Sequence, residues 1–278
     1  MTRCLLQVHA HPDDESSKGA GVTARYGAEG VRTVLVTCTG GEAGEILNPA
    51  MDLPEVRENL HEVRLKELHE ATEILGYDAV HLLGYRDSGM PDTEANKHPD
   101  AFANASLDEA VAKLVAIVEA ERPQVMISYG DDHSGYPHPD HIRAHEITVR
   151  AFDRTCKDEH GPKKLYYTGW VKRRIVALHE AIVKEGKESP YAEWLKDWED
   201  EGDHEFATRI DIRGYVTQRT KALLAHATQI APDSFWFALP DEMIVDIYPW
   251  EDYKLAKTLV EPERDENGVE TGLFSGLR

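Results

Sequence analysis

Cysteine is scarce in this chain of 278 residues, and its three occurrences, Cys4, Cys38 and Cys156, form no CxxC pair. This spacing excludes a four-cysteine zinc knuckle, argues against a disulfide framework, and is typical of a reducing cytoplasm. Long apolar runs are also absent from the sequence, because none reaches the roughly 20 residues that a membrane-spanning helix needs. Histidine and aspartate side chains interrupt the first apolar residues, so we expect no signal peptide.

Basic residues are few relative to acidic ones: 31 Lys and Arg stand against 51 Asp and Glu, for a formal net charge of −20. A surface this acidic repels nucleic-acid phosphates and anionic lipids, so we expect no nucleic-acid partner and no membrane partner. The partner that we expect is a small molecule. The sequence leaves open whether the protein forms a homo-oligomer.

The first half of the sequence alternates between short apolar runs and amphipathic segments. Buried strands are predicted at residues 5–8, 34–38, 79–83 and 125–128. Helices are predicted at 19–30, at 53–75 before Gly76, and from a capping box at Ser106 and Glu109 to Pro123. Strands that alternate with helices indicate an α/β fold, here a Rossmann-like and mostly parallel sheet with helices on both faces.

The second half is less regular, and only a strand at 206–212 and a helix at 215–230 stand out from its sequence. It contains no internal repeat, no low-complexity tract and no obvious linker. We therefore predict a single domain over residues 1–278, in which a Rossmann-like core at 1–155 is followed by a C-terminal α+β elaboration at 156–278. The length suits one large α/β domain.

Two related segments, HPDD at 11–14 and HPDH at 138–141, each follow a predicted strand. Ligand sites of open parallel sheets lie beyond the carboxyl ends of the strands, where the polar loops that follow all four predicted strands would meet. Imidazole nitrogen and carboxylate oxygen are the ligands of catalytic zinc, which keeps one position open for water. A lone HPD is more often a capped turn, but two at one sheet edge favour a metal site. The candidate residues are His11, Asp13, Asp14, His138, Asp140 and His141.

Two alternative functions fit the sequence less well. A dinucleotide-binding protein requires G-x-G-x-x-G in the first strand–helix turn, whereas the G-G-x-x-G of TGGEAGE follows the second strand, and its glutamates would repel a phosphate. A metal-binding protein without catalysis would tend to lose its general base, yet a second carboxylate, Asp13, stands beside the candidate ligand Asp14. The sequence therefore favours a metal-dependent enzyme.

The segments AHPDDE at 10–15, TGGEAGEI at 39–46 and YPHPDH at 136–141 resemble the zinc-dependent de-N-acetylases of the LmbE-like (PIG-L) superfamily. Longer matches extend the resemblance over nearly the full chain and favour the members that act on mycothiol S-conjugates: AHPDDESSKGA, TGGEAGEILNPAMDLPEV, GYPHPDHIR, KLYY and LLAHATQI. The resemblance implies a zinc amidase that splits such conjugates into a mercapturic acid and glucosaminyl-inositol. The alternative is a deacetylase of N-acetylglucosaminyl-inositol or of a related N-acetyl sugar.

The same resemblance implies roles for the residues of the first motif and their partner in the second. His11, Asp14 and His141 become the zinc ligands, with Fe2+ as the alternative ion, because histidine–carboxylate sites accept either metal. Two neutral imidazoles and one carboxylate would leave the zinc site with net positive charge, which polarises a carbonyl. Asp13 becomes the general base, a role typically worth about 10²–10⁴-fold in rate.

Three residues of the segment YPHPDH are expected to act around the reacting carbonyl. The resemblance makes His138 an electrostatic or acid partner of the carbonyl oxygen, and Tyr136 a hydrogen-bond donor to it. Asp140 is expected to orient His138 or to tune its pKa. The sequence leaves open whether Asp13 or His138 protonates the leaving amine.

Substrate contacts are implied at four charged residues: Lys18, Glu45, Arg64 and Asp87. Charged groups suit a polyol because they form charge-assisted hydrogen bonds to hydroxyls. Arg64 could equally occupy an ordinary exposed helix position, and Asp87 could be a turn residue. The aromatic segment DSFWF at 233–237 is a candidate wall for a bulky acyl group, although core packing explains aromatic residues equally well. His226 is expected to be structural.

Overall fold

The strands of the described residues form one mixed sheet. The computed structural model describes residues 2–131, 136–196, 198 and 202–277. Its strands are β1 (Cys4–His9), β2 (Arg32–Thr39), β3 (Ala79–Tyr85), β4 (Val125–Tyr129), β5 (Lys164–Thr168), β6 (Thr208–Asp211) and β7 (Trp250–Thr258). They lie in the order β3–β2–β1–β4–β5–β7–β6. Strands β1 to β5 run parallel, and β7 is antiparallel to both β5 and β6.

Helices connect the strands and cover the sheet. They are α1 (Asp14–Ser17), α2 (Ala20–Ala28), α3 (Pro54–Glu58), α4 (Leu60–Leu75), α5 (Leu107–Glu121), α6 (Pro139–Thr155), α7 (Lys172–Lys184), α8 (Ala192–Lys196), α9 (Val216–Ala225) and α10 (Asp241–Ile247). Short 3-10 turns lie at Pro49–Met51, Phe102–Asn104, Asp203–Glu205 and Phe235–Phe237. Among the helices that the structure describes, none combines the length and apolar composition of a membrane span.

Both faces of the sheet are buried, as β1 shows most clearly. All six residues of β1 are buried, and successive side chains of a strand point to opposite faces. Leu6 packs in the apolar cluster that includes Leu114 of α5 and Phe152 of α6. Leu5 packs in a second cluster, with Val22 of α2 and Ile175 of α7. Central parallel strands covered on both sides have continuous apolar runs, and the predicted α/β fold class is confirmed.

Three predicted elements differ from the structure. The helix predicted at 53–75 is two helices, α3 and α4, because the backbone of Asn59 leaves the helical region at φ −123° and ψ 30°. The strand predicted at 206–212 is limited to Thr208–Asp211. The helix predicted at 215–230 ends at Ala225, because His226 and Thr228 bond to side chains of other elements instead of continuing it.

The predicted first four strands are confirmed, each to within two residues at either end. Gly76 ends α4 in the left-handed conformation, at φ 75°, and Ser106 caps α5 by accepting the backbone N–H of Glu109. Loops after β1, β2, β3 and β4 reach one edge of the sheet. Part of the polar loop after β4, residues 132–135, lies outside the described residues.

Candidate metal centre and active site

The first motif leaves β1 through a tight turn that opens the short helix α1. Asp13 takes φ 111°, a conformation that non-glycine residues adopt rarely and that costs about 1–3 kcal/mol. The guanidinium of Arg64 fixes the turn, because it donates to the carbonyl oxygen of Pro12 and lies 3.2 Å from a carboxylate oxygen of Asp13. The strained turn places Asp13 and Asp14, adjacent in sequence, in different surroundings.

His11, Asp14 and His141 meet in a buried group. Oδ2 of Asp14 lies 3.5 Å from Nδ1 of His11 and 3.5 Å from Nε2 of His141. The three candidate ligand atoms lie within 4.8 Å of one another. Ligand atoms around a tetrahedral zinc, each about 2.0–2.1 Å from the ion, are roughly 3.3–3.4 Å apart. The donor chemistry and the spacing of this group therefore fit a zinc-sized divalent ion.

A second group with metal-ligand character shares His11 and adds Asp87, His138 and Asp140. Asp140 is fully buried and does not line the cleft described below. Its carboxylate accepts the backbone N–H and the hydroxyl of Ser88. His11, Asp87 and His138 of this second group line the cleft but Asp140 does not, whereas His11, Asp14 and His141 all line it. The first group is therefore the better candidate for a catalytic ion.

Negative charge surrounds His11 on both sides of its ring. Nδ1 faces Asp14, and Nε2 lies 3.2 Å from Oδ2 of Asp140 and 3.7 Å from Oδ1 of Asp87. Burial lowers the pKa of His11, but hydrogen bonds to Asp14 and Asp140 outweigh it and raise the pKa to about 10. Burial likewise raises the pKa of Asp14, yet the positive charge of Lys18 and contacts with the two histidines hold it well below its ordinary value. The group therefore attracts positive charge.

Asp13 differs from Asp14 in exposure and in charge. Its carboxylate is 25% exposed and lines the cleft. Burial raises the pKa of Asp13, with Arg64 opposing this shift and Asp14 reinforcing it. A carboxylate with a raised pKa, held beside a candidate metal group, suits a general base.

His138 and Tyr136 approach the same group from the start of α6. The His138 ring lies 4.6 Å from the His11 ring, centroid to centroid, in a T-shaped arrangement. Nδ1 of His138 accepts the backbone N–H of Asp140 at 3.1 Å. Burial, followed by the charge of His11, lowers the pKa of His138. Tyr136 is 51% exposed, and its hydroxyl donates to Sδ of Met90 at the mouth of the cleft.

Asp140 was expected to orient His138 or to tune its pKa; its charge acts to raise the pKa of His138, and its carboxylate lies against His11. Only the backbone N–H of Asp140 contacts the ring of His138. A carboxylate that accepts from the outer nitrogen of a candidate ligand fixes the tautomer and orientation of that ring. The contact between Asp140 and His11 has this geometry.

All the predicted site residues except Asp140 line a single cleft of about 560 Å³. Among the predicted substrate contacts, Lys18 donates to Oδ1 of Asp14 at 2.6 Å. Arg64 is 3% exposed, so its helix position is not an ordinary surface one. Asp87 accepts the backbone N–H of Gly89, as a turn residue does, and also faces His11. Glu45 has an exposed side chain.

Several supporting residues were missed by the sequence analysis. The hydroxyl of Tyr129 donates to Oδ2 of Asp14 at 2.7 Å and accepts the backbone N–H of Ala10. Glu15 receives the backbone N–H of Asp13 and lies 2.6 Å from Nε2 of His226. These buried contacts join α1 to β4 and to the end of α9. Glu15 belongs to the shared segment AHPDDE, which is the signal that could have found it, whereas His226, in LLAHATQI, was already expected to be structural.

Known proteins resemble this chain along almost its whole length. Residues 6–152 match the family described as GlcNAc-PI de-N-acetylase (PIG-L). The chain is 44% identical to the mycothiol S-conjugate amidase of Streptomyces coelicolor, over 99% of this chain and 97% of that protein. It is 41% identical to the 1D-myo-inositol 2-acetamido-2-deoxy-alpha-D-glucopyranoside deacetylase of Geodermatophilus obscurus, over 99% of this chain and 98% of that protein.

Solved structures share the fold at lower identity. N,N'-diacetylchitobiose deacetylase from Pyrococcus horikoshii matches with a TM-score of 0.61 at 18% identity, over 92% of this chain and 84% of that chain. GalB, the 4-carboxy-2-hydroxymuconate hydratase of Pseudomonas putida KT2440, matches with a TM-score of 0.63 at 15% identity, over 95% of this chain and 100% of that chain. Because a deacetylase and a hydratase share the fold, the fold alone does not specify the reaction.

Proposed function

The chain belongs to the GlcNAc-PI de-N-acetylase (PIG-L) family and is a hydrolase of C–N amide bonds, and from this premise we propose that it cleaves mycothiol S-conjugates. In these substrates, an amide joins an S-substituted N-acetylcysteine to the amine of glucosaminyl-inositol. Hydrolysis releases a mercapturic acid and glucosaminyl-inositol, which removes the electrophile that the thiol has trapped.

The extent of the cleft carries this choice of substrate. The cleft continues from the candidate ligands to Leu47, Ile230 and Trp236. Acetate needs little of this space, whereas a bulky S-substituted N-acetylcysteinyl group requires an open and partly apolar trough. The 44% identity to a mycothiol S-conjugate amidase supports the same choice.

We propose His11, Asp14 and His141 as the ligands of a zinc ion, with Fe2+ as the alternative. Their burial and mutual spacing support this donor set. When bound, the ion would polarise the scissile carbonyl and make a water molecule more acidic. Asp140 would hold His11 in the orientation that presents Nδ1 to the ion.

The remaining side chains would accept the proton of the water and stabilise the negative charge that develops on the carbonyl oxygen. Asp13, held by Arg64, would accept the proton of the attacking water. Because Nδ1 of His138 accepts a backbone N–H, the neutral ring carries its proton on Nε2 and can donate to the carbonyl oxygen as negative charge develops there. Tyr136, whose hydroxyl lies at the cleft mouth, would supply a second donor. Lys18, Glu45 and Asp87 remain proposed contacts to the substrate.

A second candidate function is deacetylation of N-acetylglucosaminyl-inositol, favoured by the 41% identity to a deacetylase of this substrate. The two reactions use the same candidate ligands and differ only in the acyl group. Measuring kcat/KM for a mycothiol S-conjugate and for N-acetylglucosaminyl-inositol on one enzyme preparation separates them. We expect faster turnover of the conjugate, and preferential turnover of the acetylated sugar would overturn the amidase proposal.

We also propose a cytoplasmic location and a small molecule as the partner. Cys4, Cys38 and Cys156 are all free and buried, as thiols of proteins in a reducing compartment usually are. Thiol conjugates of the proposed kind form where the free thiol is maintained. The division into a core at 1–155 and an elaboration at 156–278 stays a prediction.

A further inference from the structure

Two small cavities adjoin the cleft, one at Trp236 and the other at Lys18. Trp236 lines both the cleft and a cavity of about 20 Å³. Lys18 lines both the cleft and a cavity of about 40 Å³. Trp170 and Arg174 line both small cavities, so the two spaces share a wall.

Two guanidinium groups border these cavities. Arg219, on α9, is 4% exposed and lines the smaller cavity. Arg174, at the start of α7, is half-buried and lines both. Within the described part of the chain, no hydrogen bond or ion pair engages either guanidinium with a carboxylate. A buried cation without a partner is costly, and the chain carries a formal charge of −20, so it is unexpected that no carboxylate of the described residues pairs directly with either guanidinium.

The two arginines flank a pair of stacked indoles. The rings of Trp170 and Trp236 lie 5.8 Å apart at an interplanar angle of 29°. Cζ of Arg219 lies 5.4 Å from the ring of Trp236, and Cζ of Arg174 lies 6.0 Å from the ring of Trp170. Contact with an aromatic face stabilises a cation by about 0.5–2 kcal/mol and leaves its N–H donors free. The guanidinium edges therefore keep their capacity to bind an anion.

The charges around Arg219 are mixed in sign. Burial lowers the pKa of Arg219 to about 10 and the neighbouring positive charge of Arg174 acts in the same direction, while the carboxylates of Glu251 and Asp241 oppose the shift. The Glu251 carboxylate on the wall of the larger cavity is already bound by the backbone N–H groups of Gly21 and Val22 and by the hydroxyl of Tyr253. Asp252, the other acid on that wall, accepts from Arg173 and from the hydroxyl of Tyr248, so both acids of the larger cavity already have partners for their oxygens when an anion meets the two arginines.

The size of the cavities limits what they can hold. One water molecule needs about 10–15 Å³ measured in this way, so cavities of about 20 and 40 Å³ accept a group of a few atoms. A carboxylate has that size, whereas an aromatic ring does not. A ring would remain in the cleft, against the exposed face of Trp236.

We infer that Arg174 and Arg219, together with Trp170 and Trp236, form a subsite for a carboxylate carried at the end of the S-substituent of the conjugate. The inference rests on the proposed function for the identity of the molecule that carries this carboxylate. The subsite would favour conjugates of electrophiles that bear an acid group beyond an aromatic or apolar spacer.

Binding of two product analogues tests the subsite directly. S-(4-carboxybenzyl)-N-acetylcysteine and S-(4-carbamoylbenzyl)-N-acetylcysteine differ only in the terminal group, and isothermal titration of the metal-loaded enzyme at one ionic strength gives both dissociation constants. We expect the acid to bind at least about tenfold more tightly than the amide, because a charge-assisted hydrogen bond is replaced by a neutral one. Equal affinities would overturn the subsite.

Two substitutions and a matched control locate the effect. Arg174→Gln and Arg219→Gln should each remove most of the preference for the acid and leave binding of the amide nearly unchanged. Arg150→Gln makes the same change in charge on the exposed side of α6 and should keep the preference. If Arg219→Gln does not fold, Arg174→Gln alone decides. A preference that survives Arg174→Gln contradicts the subsite.

The corresponding mycothiol conjugates separate this inference from the proposed function. If the enzyme hydrolyses both conjugates without preferring the acid, the subsite is wrong and the amidase function stands. If it hydrolyses neither but binds the acid analogue through Arg174, the subsite stands as an anion site and the amidase function is wrong.

Discussion

The carboxylate of Asp140 lies 3.2 Å from Nε2 of His11, on the opposite side of the ring from Nδ1, which faces Asp14. Asp140 is in turn fixed by the backbone N–H and hydroxyl of Ser88. A chain of buried contacts thus runs from the loop after β3, through the first turn of α6, to the loop after β1. The orientation of one candidate ligand depends on all three segments.

Replacing Asp140 with asparagine tests this positioning role. The Asp140→Asn enzyme should bind zinc about 10–100-fold more weakly, because an amide oxygen is a poorer acceptor for the outer N–H of His11. Competition with a chromophoric chelator measures the affinity. Saturating zinc should restore much of the lost kcat, and unchanged zinc affinity with a permanently low kcat would show that Asp140 acts on the reaction instead.

Asp13 should be needed for turnover and dispensable for metal binding. Asp13→Asn keeps the size of the side chain and removes the base, so kcat should fall by about 10²–10⁴-fold while zinc content stays at the wild-type level. Steady-state kinetics and metal analysis of the same preparation check both parts. Near-normal turnover by this variant would show that another group is the base.

Trp236 should matter for the acyl group and not for the sugar. Trp236→Ala removes a large aromatic surface from the wall of the cleft, so kcat/KM for a conjugate with an aromatic S-substituent should fall about tenfold or more. The rate with N-acetylglucosaminyl-inositol should change little, and Trp236→Phe should retain most of the conjugate activity. Equal losses of kcat/KM with both substrates would show that the acyl group does not bind against Trp236.

Far from the cleft, Lys164 and Glu270 form a fully buried ion pair with 2.5 Å between Nζ and Oε1. Glu270→Gln leaves the ammonium group without its charged partner, which typically costs about 3–5 kcal/mol of unfolding free energy. Urea denaturation followed by tryptophan fluorescence measures the loss. Glu193→Gln breaks an exposed pair with Lys196 and should have no measurable effect on the free energy of unfolding. Similar losses of stability in both variants would show that the buried pair contributes no more than the exposed one.

The central strands and the two His-Pro motifs were predictable because they are local signals. Strands β1, β2 and β4 are buried on both faces and so read as continuous apolar runs, and a parallel sheet brings the segments after them to one edge. Gly76 ends α4 for a reason that is visible in the residue itself, since it adopts a positive φ without strain.

Features that depend on tertiary contacts were not predictable. The apolar periodicity at 53–75 continues through Asn59 and hides the break between α3 and α4. The end of α9 is set by bonds from Thr228 to Glu67 and from His226 to Glu15, which outweigh helical propensity. Arg64 is buried where carbonyl oxygens on distant loops accept hydrogen bonds from its guanidinium, and no local sequence pattern predicts this.

The central claim is that one divalent ion is held by His11, Asp14 and His141. Its most direct test is the metal stoichiometry of zinc-loaded protein, measured by mass spectrometry of the element after removal of weakly bound ions, for the wild type, His141→Ala and Asp13→Asn. We predict about one zinc per chain in the wild type and in Asp13→Asn, and almost none in His141→Ala. Stoichiometric zinc in the His141→Ala protein would contradict the site.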